Sequence, residues 1–130
     1  MPSEHPVTRA VRRGNEALYA RDFEAYADSL AEGLRFEDRR AGLRETHGKQ
    51  ENIEQARVVA ELSESVEMQE IETCGDRLGL HRLIFHAGDF EVGVLLVTKI
   101  DGEGRGVLGV LFDEDALDDA RTELHRLATH

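Results

Sequence analysis

The chain has 130 residues and reads as one domain spanning 1–130, long enough to bury roughly two-thirds of the surface its unfolded form exposes. Its 16 Lys and Arg stand against 27 Asp and Glu, a net charge of −11 that repels phosphate backbones and anionic lipid, so neither nucleic acid nor a membrane is an expected partner. A single cysteine, Cys74, excludes an intrachain disulfide, and with no apolar N-terminal run and no membrane-length apolar stretch the expected location is cytoplasmic.

Val7, Ala10, Val11, Ala17 and Leu18 recur at helical spacing. Asp22 then caps a second, short helix carrying Phe23, Tyr26, Ala27 and Leu30, which Gly33 is expected to stop. Residues 34–40 alternate as a strand around Asp38, an acid placed where a strand leaves a helical hairpin and can point into a cavity. The segment 41–48 reads as a loop, and Ile53, Ala56, Val59 and Ala60 mark one face of a third helix that breaks at Ser63. The period then changes to two, predicting strands over 66–74, 78–86, 90–100 and 106–112. Gly75-Asp76, Ala87-Gly88-Asp89 and the segment 101–104 supply tight reversals, which favours an antiparallel meander. In the last helix Asp113, Glu114 and Asp115 sit at the start and Arg121, His125 and Arg126 near the end, matching the helix dipole, with Leu117, Ala120, Leu124 and Leu127 as the apolar stripe.

This order is an α+β plan: a curved, mostly antiparallel sheet wraps around the N-terminal helices and forms a cone with an internal pocket. The residues that carry a resemblance are the paired first helices, the Ala20-Arg21-Asp22-Phe23 turn, Phe36-Glu37-Asp38, the helix entry at 48–53 and Val110-Leu111-Phe112-Asp113. In their order and spacing, over nearly the whole chain, they resemble the nuclear transport factor 2 superfamily, which includes ketosteroid isomerases, SnoaL-like polyketide cyclases and limonene epoxide hydrolases. The resemblance implies that Asp38 occupies the position of the isomerases' general base. The oxyanion tyrosine of those isomerases matches Gly14 here, and their protonated second acid falls near Leu96. Both donors are missing from this chain, so steroid isomerisation by that mechanism is not implied.

Strand parity then proposes partners for Asp38. If the Leu96 face looks into the cone, so do Phe90, Val92 and Val94, and pairing across the 87–89 turn adds Leu80, Arg82, Ile84 and His86. Asp38 is the candidate base and Arg82 or His86 its electrophilic partner, with Phe36, Leu80, Ile84, Val92, Val94, Leu96, Val110 and Phe112 as apolar walls. The expected ligand is a small hydrophobic, oxygen-bearing compound, handled by cofactor-independent isomerisation, cyclisation or hydration. A binding or sensing domain of the same fold, and an interaction module with a filled cone, are the alternatives. The histidines show no metal-ligand spacing, Gly102 and Gly104 lack the helix and lysine of a phosphate loop, and Cys74 lacks a defined base, so no metal or cofactor is expected and Cys74 is read as inert. Both faces of the central strands are apolar, which predicts a homodimer through the sheet.

Overall fold

The computed structural model describes residues 4–41 and 44–129; Gly42 and Leu43 of the predicted loop, and His130, lie outside them. Helix α1 (Pro6–Tyr19) begins where Pro6 presets the helical torsion and His5 Nδ1 accepts the Val7 amide at 3.1 Å. Arg21, at φ 61°, turns the chain into α2 (Phe23–Asp28), which Asp22 caps as expected by accepting the Ala25 amide at 3.1 Å. There follow β1 (Leu30–Asp38), β2 (Glu45–His47), α3 (Lys49–Leu62), β3 (Ser65–Cys74), β4 (Leu78–Ala87), β5 (Phe90–Ile100), β6 (Gly106–Asp113) and α4 (Leu117–Ala128).

Several boundaries differ from the sequence reading: Asp113 ends β6, Glu114 and Asp115 precede α4, β4 runs on to Ala87, and two larger differences lie near the site. Strand β1 starts at Leu30, so Gly33 lies inside a strand instead of ending a helix. The Ser29 carbonyl accepts the Gly106 amide at 2.9 Å, which draws Leu30 into the sheet before another helical turn can form. Part of the predicted loop is also strand: β2 pairs antiparallel with the end of β1, Phe36 opposite His47 and Asp38 opposite Glu45.

The six strands form one curved, unclosed sheet in the order β2-β1-β6-β5-β4-β3. Strands β3 to β6 make the expected antiparallel meander, and β1 joins it parallel to β6. Helix α1 packs on the inner face. Its Val7 sits so close over Gly79 that an added Cβ there would lie 2.6 Å from Val7 Cγ1. Helix α4 packs on the outer face, where Ala120 and Leu124 join Leu78, Leu80, Leu95, Val97, Val110 and Phe112 in a buried cluster. Each large side chain buried there is worth about 1.5–3 kcal/mol of transfer free energy. Helix α4 thus covers the part of the outer face formed by these residues, where the sequence reading expected a second copy.

The β4–β5 register corrects the assignment of faces. Gly88 adopts φ 61° and the turn holds two residues, Gly88 and Asp89, with Ala87 opposite Phe90. Leu96 is therefore opposite His81, not Leu80, and every β4 side chain changes face relative to the expectation. His81, Leu83 and Phe85 share the inner face with Val92, Val94 and Leu96. Leu80, Arg82, Ile84 and His86 point to the α4 side, as do Val110 and Phe112.

Strand β3 changes face within itself. The register against β4 shifts between Glu70 and Glu72, so Glu70 stands opposite inward His81 while Glu72 stands opposite outward Leu80. Beyond the bulge, Cys74 follows Glu72 onto the outer face, opposite Leu78.

Candidate functional site

The inner face, α1, α2 and α3 enclose a partly open cavity of about 110 Å³. Phe36 and Leu96 line it, as the strand pattern indicates, together with Val11, Gly14, Leu34 and Leu108. The Phe36 ring lies across Gly109, where a Cβ would come within 2.7 Å of it, and stacks on His47 with ring centres 5.1 Å apart. Glycine at 109 is what lets the aromatic wall lie flat on β6.

The polar groups of the cavity were not among the expected site residues. Tyr26 reaches it from α2, Asn52 from α3 and Thr98 from β5. Asn52 Nδ2 donates to the Tyr26 hydroxyl oxygen at 3.1 Å, leaving the phenolic proton available to a ligand acceptor. Burial pushes the Tyr26 phenol up from its usual range, with Asn52 opposing, so the group stays a neutral donor. Thr98 Oγ1 is buried and has no hydrogen-bond partner among the described residues. An unpaired buried hydroxyl costs about 1–3 kcal/mol.

Asp38 ends β1 on the same face as Phe36 and is buried, but it does not line the cavity. Arg40 clamps it: the guanidinium donates from Nη2 at 2.7 Å and Nε at 3.0 Å, and the Arg40 amide donates at 3.1 Å. Burial alone would raise its carboxyl, yet the Arg40 hydrogen bonds and the nearby His47 hold it below the ordinary carboxylate value. A carboxylate so stabilised is a weak base. His47 is buried beside it, and neither ring nitrogen has a partner among the described residues.

The structure does not bring the other expected catalytic groups to Asp38. Arg82 Nε lies 3.6 Å from Glu114 on the α4 side, and His86 Nε2 bonds Glu67 at 3.0 Å. Val92 is half exposed near the β4–β5 turn, while Val94 is buried on the inner face without reaching the cavity. Leu80, Ile84, Val110 and Phe112 lie on the other side of the sheet. Thr98 could have been found from parity, since it follows Leu96 by two residues. His47 was hidden because its segment lacks the length and alternation of a strand.

A second inward group is His81, which is fully buried. The Thr8 hydroxyl donates to Glu70, so His81 Nε2–H donates to Thr8 Oγ1 at 2.7 Å and Nδ1 is left bare, without a partner. Burial pushes this imidazole down to about 4, because a second ring proton would have no acceptor. The Glu70–Thr8–His81 chain fastens α1 to the sheet at the level of Leu96.

Among solved structures the chain is similar to an LEH-like epoxide hydrolase of Mycobacterium tuberculosis, with 21% identity, 96% of this chain and 93% of that chain covered, and a TM-score of 0.62. It is also similar to a steroid delta-isomerase from Pseudomonas aeruginosa, with 16% identity, 99% and 96% covered, and a TM-score of 0.64. A computationally designed 17-OHP binder matches at 17% identity, 87% and 95% covered, and a TM-score of 0.66. No family model matches the chain, and no curated protein matches it. The likeness shows the fold: this is the cone-shaped α+β architecture of nuclear transport factor 2-like proteins. No helix among the described residues is long and apolar enough to cross a membrane.

Proposed function

We propose that the inner-face cavity binds a small, mostly apolar compound with one oxygen acceptor, held by the Tyr26 and Thr98 hydroxyls. The observation that carries this reading is a largely apolar cavity lined by Tyr26, whose hydroxyl oxygen accepts from Asn52 and keeps its own proton, and by Thr98, whose buried hydroxyl has no partner among the described residues and would need a small side-chain turn to meet a ligand. Size narrows the class. At about 110 Å³ the cavity is smaller than the roughly 150 Å³ engineered cavity that admits benzene, and far below the roughly 300–1,000 Å³ of drug-sized sites. A compact cyclic ketone or ester suits it, and a steroid skeleton does not. The test is a calorimetric titration with cyclopentanone against cyclopentane. Preference for the ketone, weakened about 2- to 13-fold by Tyr26→Phe or Thr98→Val, is the expected result. Equal binding of both compounds to all three chains would refute it.

A second reading makes the domain a cofactor-independent acid–base enzyme with Asp38 as base. It is favoured by the place of Asp38 on the Phe36 face, beside a His47 ring with two unsatisfied nitrogens. With Arg82 and His86 on the outer face, the electrophilic group for a carbonyl would be Tyr26 or Thr98, and Arg40 would have to release the carboxylate first. Proton-to-deuterium exchange α to the ketone, followed by NMR in heavy water, measures that chemistry without a known substrate. Exchange that Asp38→Asn abolishes supports catalysis; exchange at the background rate in the unaltered protein leaves the binding function alone.

A further inference from the structure

On the outer face, remote from the cavity lining, Glu72, Cys74 and His125 converge. One carboxylate oxygen, the thiol sulfur and one imidazole nitrogen all lie within 4.8 Å of one another. Their assembly depends on the β3 bulge. Without it Glu70 and Glu72 would share a face, whereas the shift sends Glu70 inward to Thr8 and turns Glu72 and Cys74 together toward α4, whose last turns carry His125. His125 Nε2 already hydrogen-bonds Glu72, and Arg121 Nε stands 3.3 Å from the same carboxylate.

We propose that these three side chains form a binding site for a divalent transition-metal ion of the zinc class. The donor set combines a thiolate, an imidazole and a carboxylate, which suits a borderline-soft ion and not magnesium or calcium. Zinc takes sulfur at about 2.3 Å and nitrogen or oxygen at about 2.0–2.2 Å, so sub-ångström to ångström side-chain adjustments close the present triangle around one ion. The three protein ligands leave a fourth tetrahedral position for water. The ion replaces the Glu72–His125 hydrogen bond and displaces the thiol proton to solvent, and Arg121, half exposed, swings away from Glu72. The consequence is a clip joining the end of β3 to α4. The ligands lie 53 residues apart in the chain from Glu72 to His125, which is why no spacing motif announces them.

The full chain, kept reduced with a phosphine, is titrated with cobalt(II) chloride and then with zinc chloride. Thiolate-to-cobalt charge-transfer absorption with the d–d bands of a four-coordinate ion, quenched by one equivalent of zinc, is expected. Cys74→Ser should lose the charge-transfer band, and His125→Gln, at an exposed position that does not threaten folding, should weaken cobalt binding at least tenfold. Zinc should raise the melting temperature of the unaltered chain and not that of Cys74→Ser. Weak octahedral cobalt absorption alone, or identical titrations of all three chains, would overturn the proposal.

Discussion

Acidification offers a direct test of how α1 is held to the sheet. In the unfolded chain His81 titrates near 6.5, and in the folded protein burial pushes it down to about 4. The folded-state value is the lower one, so on acidification the unfolded chain takes up the proton first. The stabilisation is complete above about pH 6.5 and is lost as the pH falls towards 4. At about 1.4 kcal/mol per pH unit for one proton, the loss is about 2 kcal/mol at pH 5 and about 3 kcal/mol at pH 4. The variant His81→Gln can still donate an N–H to Thr8 but has no titration in this range. Urea unfolding of both chains at pH 7 and pH 5 separates this effect from carboxylate titration, which is common to both. With a slope of about 2 kcal/mol per molar urea, the midpoint of the unaltered chain should fall about 1 M further than that of the variant. Parallel pH dependence in the two chains would refute the assignment of a neutral, Nδ1-bare His81.

Three other perturbations address different parts of the molecule. Arg40→Met removes the donors that offset the burial of Asp38, so its carboxyl should move up and stability at pH 7 should fall by roughly 1–3 kcal/mol; NMR titration showing Asp38 unmoved would contradict the clamp. Leu124→Ala, at a fully buried position, should cost roughly 2–5 kcal/mol in urea unfolding, and a loss below about 1 kcal/mol would mean that α4 does not seal the outer face. Gly109→Ala places a methyl 2.7 Å from the Phe36 ring; a cost of roughly 1–3 kcal/mol with altered ketone affinity is expected, and unchanged affinity would show that Phe36 does not set the cavity wall.

The elements long enough to display a period were legible. Helix α1, the four-stranded meander and α4 announce themselves through repeated apolar positions, capping residues and Gly-bearing turns. Strand β2 did not, because three residues cannot display an alternation and their pairing depends on the distant end of β1. The faces of β4 turned on one residue of register: Ala87 belongs to the strand, and counting it in the turn carried Arg82 and His86 to the wrong side. Asp38 was expected to point into the cavity; it lies outside the cavity lining, and its partner two residues later, Arg40, changes what its carboxylate can do. Gly14 and Leu96 do line the cavity, and the hydroxyl-bearing residues Tyr26 and Thr98 beside them come from α2 and the next inward position of β5.

The end of β1 serves two structures at once. Asp38 faces inward, while its neighbours Glu37 and Arg39 face outward, where Arg39 bonds both Glu37 at 2.6 Å and Glu123 of α4 at 3.2 Å, and Arg126 bonds Glu123 at 2.5 Å. The Arg39 amide is also held by the Leu111 carbonyl at 2.8 Å. The main chain on either side of Asp38 is thus tethered, and strand displacement is not an available way to expose the acid. The part not held by the sheet is the Arg40 side chain, one-third exposed and tied, among the described residues, only to Asp38. Any group approaching the Asp38 carboxylate therefore has to displace the Arg40 guanidinium, while the strand itself stays in place.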